Sequence, residues 1–292
     1  MYELLFLPIL FLILAYLTGY RLSLFNDTEE QRLSDVGVKK VLTIPFDEEC
    51  ISPNGTWCIP DTSLIMLRGK GYLRTNQKVK HKGQCKFEPY SLSMYLEDGG
   101  RKKTKNIALV PDIRDLLESQ PDSWFFIVSW ILPVEPHLSV VMIFRSRSGK
   151  AIVDGESLFS RFIEGTDTFR RDRFKFIPYI EKCPPLIRKG FSMLGGERPT
   201  LLAQKISSKF YRGENYIEVD VNIASSSMAR GLSKMILPVM GKVSIIFAFT
   251  LEGRCDDELP EDLIGAISVA NVDMDYIIKK LNYLEVLNHK LT

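Results

Sequence analysis

Catalytic signatures are scarce in this chain. Only three histidines and five cysteines occur in 292 residues, and His81, His137 and His289 each stand alone. No HExxH, GxSxG, Walker A or GxGxxG pattern is present, so zinc-protease, α/β-hydrolase, P-loop and dinucleotide sites have no sequence support. Gly69-Lys70-Gly71 begins like a glycine loop, but Arg74 stands where a third glycine is needed, and the stretch reads as a turn. Cys50, Cys58, Cys85, Cys183 and Cys255 are odd in number and scattered, with no CxxC pair. That pattern suits reduced cytosolic thiols rather than a disulfide framework. There is no internal repeat and no low-complexity tract. No catalytic residue, metal or cofactor is assigned, and the expectation is a protein that is not an enzyme.

Charge is missing from Leu4 to Tyr20, a run that ends against Arg21. As a helix it reaches roughly 25 Å, near the lower limit for crossing a bilayer core. A cleaved signal would carry a basic n-region and a small-x-small site. Met1-Tyr2-Glu3 has no basic residue, and Ala15-Tyr16-Leu17-Thr18-Gly19 matches such a site poorly. A core helix would show a polar stripe, which Leu4 to Leu14 lacks. The expectation is one transmembrane anchor over residues 1–22, then an irregular juxtamembrane linker over 23–56. Arg21, Arg32, Lys39 and Lys40 follow the run and no basic residue precedes it. The positive-inside rule then makes this a single-pass protein with its C-terminal body in the cytosol. The sequons at Asn26 and Asn54 would matter only in a lumenal body.

Asp and Glu are absent between Thr62 and Phe87, while Arg68, Lys70, Arg74, Lys78, Lys80, Lys82 and Lys86 all occur there. Arg101, Lys102, Lys103 and Lys105 form a second cluster, although the formal net charge is only +2. Near an anionic leaflet each such cation contributes about 1 kcal/mol, decaying over a Debye length. Arg68, Lys70, Arg74, Lys78, Lys80 and Lys82 are therefore candidates for binding lipid headgroups. Nucleic acid, the other polyanion, is not expected beside a membrane anchor.

The body reads as α+β with a mainly antiparallel curved sheet and packed helices. Trp124–Leu132, Leu138–Phe144 and Lys242–Leu251 are apolar at nearly every position, as strands covered on both faces are. Their aromatics could be core, or Trp124, Phe126, Trp130, Phe247 and Phe249 could line an apolar cavity for an acyl chain. Tyr216–Ile223 alternates without a break and reads as a strand. Glu218, Asp220 and Asn222 share one face of it. That face is read as solvated, or as a partner for Arg170, Arg171, Arg173 or Lys175, with a cation site the sharper alternative. Helices are predicted over Gly155–Glu164, Ser225–Met240 and Asp273–Asn288, and a short turn at Glu258–Leu263. Gly213, just before the Tyr216 strand, suits a turn needing positive φ.

An ordered series of motifs carries a family resemblance. It runs through Leu67-Arg68-Gly69, Arg161-Phe162, Gly165-Thr166-Asp167, Arg173-Phe174-Lys175-Phe176 and Tyr211-Arg212-Gly213. It continues through Ser225-Ser226-Ser227, Asp257-Glu258-Leu259-Pro260-Glu261 and Leu263-Ile264-Gly265. From about Trp57 to Val272 this resembles the C-terminal domain of the plant "enhanced disease resistance two" proteins, and the domain is taken as residues 57–292. In those proteins it follows pleckstrin-homology and START domains, and neither is expected before Trp57 here. The resemblance implies membrane association and no established catalytic residues. The expected function is a membrane-anchored, non-enzymatic domain that binds lipid, through anionic headgroups or an acyl chain. A membrane-tethered protein-interaction scaffold with an unknown partner is the alternative, and an enzyme using Glu218 and Asp220 the third reading.

Overall fold

The computed structural model describes residues 38–52, 55–97, 106–131, 138–153, 155–193, 198–222, 225 and 241–273. The chain begins with β1 (Val38–Ile44), β2 (Thr56–Cys58), β3 (Met66–Arg68), helix α1 (Tyr72–Thr75), β4 (Lys78–Lys80) and β5 (Phe87–Glu97). Next come α2 (Pro111–Ser119), β6 (Phe125–Ile131), β7 (Leu138–Ser146), α3 (Leu158–Glu164), α4 (Asp167–Arg173) and β8 (Phe174–Lys182). The rest is α5 (Pro185–Met193), β9 (Thr200–Leu201), α6 (Leu202–Lys205), β10 (Ser208–Arg212), β11 (Tyr216–Asn222), β12 (Ser244–Leu251) and β13 (Leu263–Ala270).

These strands make two main sheets. One runs β1-β5-β7-β6-β11-β10 and the other β2-β13-β12-β8-β9, with β3 and β4 as a separate hairpin. All pairs are antiparallel except β11 with β6. The fold is thus α+β with mainly antiparallel pairing, in two packed layers.

Strand periodicity explains the layering. In β6, Phe126, Val128 and Trp130 face the second sheet, while Phe125 and Ile127 pack under Ile113 and Leu117 of α2. In β12, Ile245, Phe247 and Phe249 face inward, while Ile246 and Ala248 pack against Leu67 of β3. Each strand is apolar at nearly every position because each of its faces is covered. Ser157 caps α3 by accepting from the Ser160 amide, and Phe159 and Phe162 of that helix close one end of the core.

The five aromatic residues predicted to line a cavity sit in that core. Phe126 meets Phe249 at a centroid distance of 5.7 Å, and Trp130 meets Phe176 at 5.3 Å and Phe247 at 6.4 Å. Trp124 belongs to the same cluster. The structure shows rings in mutual contact here and does not show a cavity. A Cβ on Gly265 would lie 2.9 Å from the Phe144 ring of the opposite sheet, so the missing side chain lets the layers close.

Other expectations change. Val38–Ile44, assigned to an irregular linker, is a strand that pairs with β5; long-range pairing overrides its local polarity. The turn predicted after Asp257 is instead a 3-10 turn at Asp256–Glu258, before Pro260. The helices predicted over Ser225–Met240 and Asp273–Asn288 lie, apart from their first residues, outside the described residues. The predicted anchor, residues 1–22, and the basic cluster at 101–105 also lie outside them. Among the described residues no helix is long and apolar enough to cross a membrane.

Gly213 is needed for space rather than for positive φ. Its φ is not in the left-handed region, but a Cβ there would fall 2.0 Å from the Tyr216 ring. Gly213→Ala is expected to destabilise the fold by about 1–3 kcal/mol, as overpacking does. In a Tyr216→Ala background the same change should cost far less. Urea denaturation of the four proteins measures this, and an equal cost in both backgrounds would refute ring contact as the cause.

Candidate functional site

Segments far apart in sequence bring charge to one end of the second sheet, where β8 starts and β12 ends. Glu258, in the loop from β12 to β13, is 7% exposed. It accepts from Arg161 at 2.8 Å, from the Arg254 amide at 2.8 Å, and from the Arg173 guanidinium. Glu261 is 6% exposed. It accepts from Lys175 and from the amides of Arg68 and Gly253 at 3.1 and 3.2 Å. Arg68 reaches Glu252 at 2.7 Å and the Gly253 carbonyl at 2.8 Å, and lies 4.9 Å from the Tyr72 ring centroid. One network thus ties the β3–β4 hairpin, β8 and the 252–262 loop together.

The electrostatics follow from burial. Desolvation raises the Glu258 carboxyl, but the Arg254 amide and Arg173 guanidinium outweigh it and hold the group down at about 2. Lys175 is shifted below the ordinary lysine value by burial, with Glu261 pulling the other way. Against this network opens a cleft of about 360 Å³. Arg68, Lys78, Lys175 and Arg198 line it, against the carboxylates of Glu252 and Glu261. Lys78 and Arg198 are exposed, and neither has an ion-pair partner among the described residues.

The predicted headgroup residues divide. Only Arg68 and Lys78 line the cleft. Lys70, Arg74, Lys80 and Lys82 are exposed around the same hairpin, while Arg68 is half-buried and already paired. Exposed Met66, Leu73 and Val79 (41%, 48% and 40%) interleave with these cations. Lys175, Arg198, Glu252, Glu258 and Glu261 escaped the prediction. Lys175, Glu258 and Glu261 do fall within the family-like motifs, which was the available signal.

The polar face of β11 needs correction. Glu218 and Asp220 are 0% and 4% exposed, not solvated. Glu218 accepts the amides of Ile107 and Ala108 at 2.7 and 2.9 Å, holding the turn that leads into α2. Burial, and then the neighbouring Asp220, raise its carboxyl well above the ordinary value. Arg173 and Lys175 pair elsewhere, with Glu258 and Glu261, and Arg170 pairs with Asp167. No group of three or more His, Cys, Asp and Glu that could hold a metal ion occurs among the described residues. His81 is buried between Thr62 and Asp262, at 2.9 and 3.2 Å.

A family model described as "Protein ENHANCED DISEASE RESISTANCE 2, C-terminal" matches residues 57–273. A relative from Arabidopsis thaliana, "Protein ENHANCED DISEASE RESISTANCE 2-like", is 28% identical over 222 residues, which cover 76% of this chain and 29% of the relative. The chain therefore spans less than a third of that relative's length. No solved structure matches.

Two outcomes follow from the carboxylates. Because the folded Glu258 is depressed, its stabilisation is present above about pH 4.5 and is lost as pH falls toward about 2. The loss should approach about 3 kcal/mol, and Glu258→Gln should remove that acid limb in urea titrations from pH 5 to 2. A limb of unchanged depth in the variant would contradict the assignment. Glu218→Ala strands two buried amides and should cost about 2–4 kcal/mol, whereas Glu218→Gln, which still accepts, should cost about 1. Equal losses in the two variants, again by urea denaturation, would exclude that role.

Proposed function

We propose, for a chain that belongs to the ENHANCED DISEASE RESISTANCE 2 C-terminal family, that this domain works by binding anionic lipid rather than by catalysing a reaction. The lipid-facing element is the β3–α1–β4 hairpin. One observation carries this reading: exposed cations at Lys70, Arg74, Lys78, Lys80 and Lys82 surround exposed Met66, Leu73 and Val79. A solvated loop gains nothing from such apolar groups, whereas an interfacial one buries them while its lysines meet headgroups. The cleft beside the hairpin supports the same reading, since Lys78 and Arg198 can take one negatively charged headgroup. Residues 1–22 serve as a transmembrane anchor that keeps the body on the cytosolic face. The anchor makes a weak electrostatic contact sufficient, because the local lipid concentration is already high.

The experiment uses the full chain in vesicles of phosphatidylcholine alone or with added phosphatidylserine. Lysine acylation is followed by mass spectrometry. Lys70, Lys78, Lys80 and Lys82 should be protected only in the anionic vesicles, and molar salt should remove the protection. Replacing Lys78 and Lys80 by Gln should weaken the contact by about 2 kcal/mol, or roughly thirty-fold. Equal reactivity on both vesicle types would overturn the proposal.

A further inference from the structure

At the other end of the second sheet, away from the charged cleft, a recess of about 670 Å³ brings two cysteines together. Cys58 lies on the edge strand β2, in register with Ser268 of β13. Cys50 comes from the preceding loop, and its Sγ donates to the carbonyl of that same Ser268 at 3.8 Å. Cys50 and Cys58 thus both approach Ser268, and both line the recess.

The loop that presents Cys50 is built rather than loose. The Asp47 carboxylate accepts from the amides of Glu49, Ile51 and Ser52 at 3.1, 3.2 and 2.7 Å. The Cys50 amide donates to the Asp47 carbonyl at 3.0 Å. Asn271, at the end of β13, donates to the carbonyl of Cys50 at 3.3 Å. Cys50 itself takes φ 57, a left-handed backbone rare for a residue with a side chain. These contacts hold the Cys50 loop against the end of β13; Cys50 is half-buried and Cys58 buried, and both line the recess from which a peroxide would approach.

We propose that Cys50 and Cys58 are a reversible redox pair that closes to a disulfide when a peroxide enters this recess. The Cys58 thiolate attacks the peroxide O–O bond, forming a sulfenic acid and expelling hydroxide, which takes up the proton that the thiol released. The Cys50 thiol then attacks that sulfur, the S–O bond breaks, and the oxygen leaves as water with the Cys50 proton. Overall the two thiols give up two electrons and two protons, and one hydrogen peroxide becomes two waters. The order of the steps suits the pair: the interaction between the two thiols lowers Cys58 from its ordinary value and raises Cys50. Closure would pin the loop to the edge of the sheet. Cys85 has burial pushing it up to about 12, which keeps it a protonated, unreactive thiol.

The test takes the full chain, purified reduced and treated with hydrogen peroxide, with and without later reduction by dithiothreitol. Free thiols are alkylated in denaturant and the peptides mapped by mass spectrometry. The expected product is a Cys50–Cys58 cross-linked peptide that reductant removes, with Cys85 still alkylated. In Cys50→Ser, dimedone labelling of Cys58 should rise several-fold, because the sulfenic acid has lost its resolving thiol. Oxidised protein with both thiols still free, or joined to other cysteines, would overturn the proposal, and so would unchanged dimedone labelling in Cys50→Ser.

Discussion

The structure depends on one layer of aromatic rings. Phe126, Trp130 and Phe144 from the first sheet meet Phe174, Phe176, Phe247 and Phe249 from the second. Each buried ring contributes about 1.5–3 kcal/mol by its area, and tilted pairs add a little more. Because α2 covers the outside of the first sheet and the β3–β4 hairpin the outside of the second, polar chemistry is driven to the sheet ends and to the edge strands. The charged cleft occupies one end and the cysteine recess the other.

The charged end carries a cost that the aromatic layer offsets. Burying Glu258, Glu261 and Lys175 removes three charges from water, and such pairs often gain nothing over apolar residues of the same shape. What they give is position. Glu261 holds Lys175 of β8 and the Arg68 backbone of β3 on one carboxylate, while Glu258 holds Arg161 and Arg173. The hairpin that carries the exposed cations is thereby fixed to the sandwich. An apolar core alone would leave a short two-stranded hairpin marginal. The residues shared with the family's motifs thus support the presentation of a basic surface more than they form it.

Much of the fold was legible in the sequence, for local reasons. Apolar side chains on successive positions of Trp124–Leu132 and Lys242–Leu251 report strands with two covered faces, and both are so covered. The alternation in Tyr216–Ile223 reports a strand too, but alternation could not tell water from protein above its polar face. The amides of Ile107 and Ala108 lie above it, and they come from a segment about a hundred positions away in the chain. The linker assignment of Val38–Ile44 failed in the same way, since that strand exists only through its partner β5. Exposed Lys70, Arg74, Lys78, Lys80 and Lys82 were legible as a basic tract because acids are missing around them. Arg198, Glu252 and the pairing of Arg68 were not.

What the sequence determined by itself is therefore the strands at Trp124–Leu132, Leu138–Phe144, Tyr216–Ile223 and Lys242–Leu251, the α+β class, the basic tract and the family. These rest on periodicity, composition and ordered motifs, all of which are properties of neighbouring residues. The tertiary structure decided which carboxylates are buried, that Arg173 answers Glu258 rather than Glu218, that the aromatics fill their layer, and that Cys50 and Cys58 share one recess. Each of these depends on strand register and sheet separation. Those are set only when distant segments pair and the ring layer closes, so no local pattern along the chain could encode them.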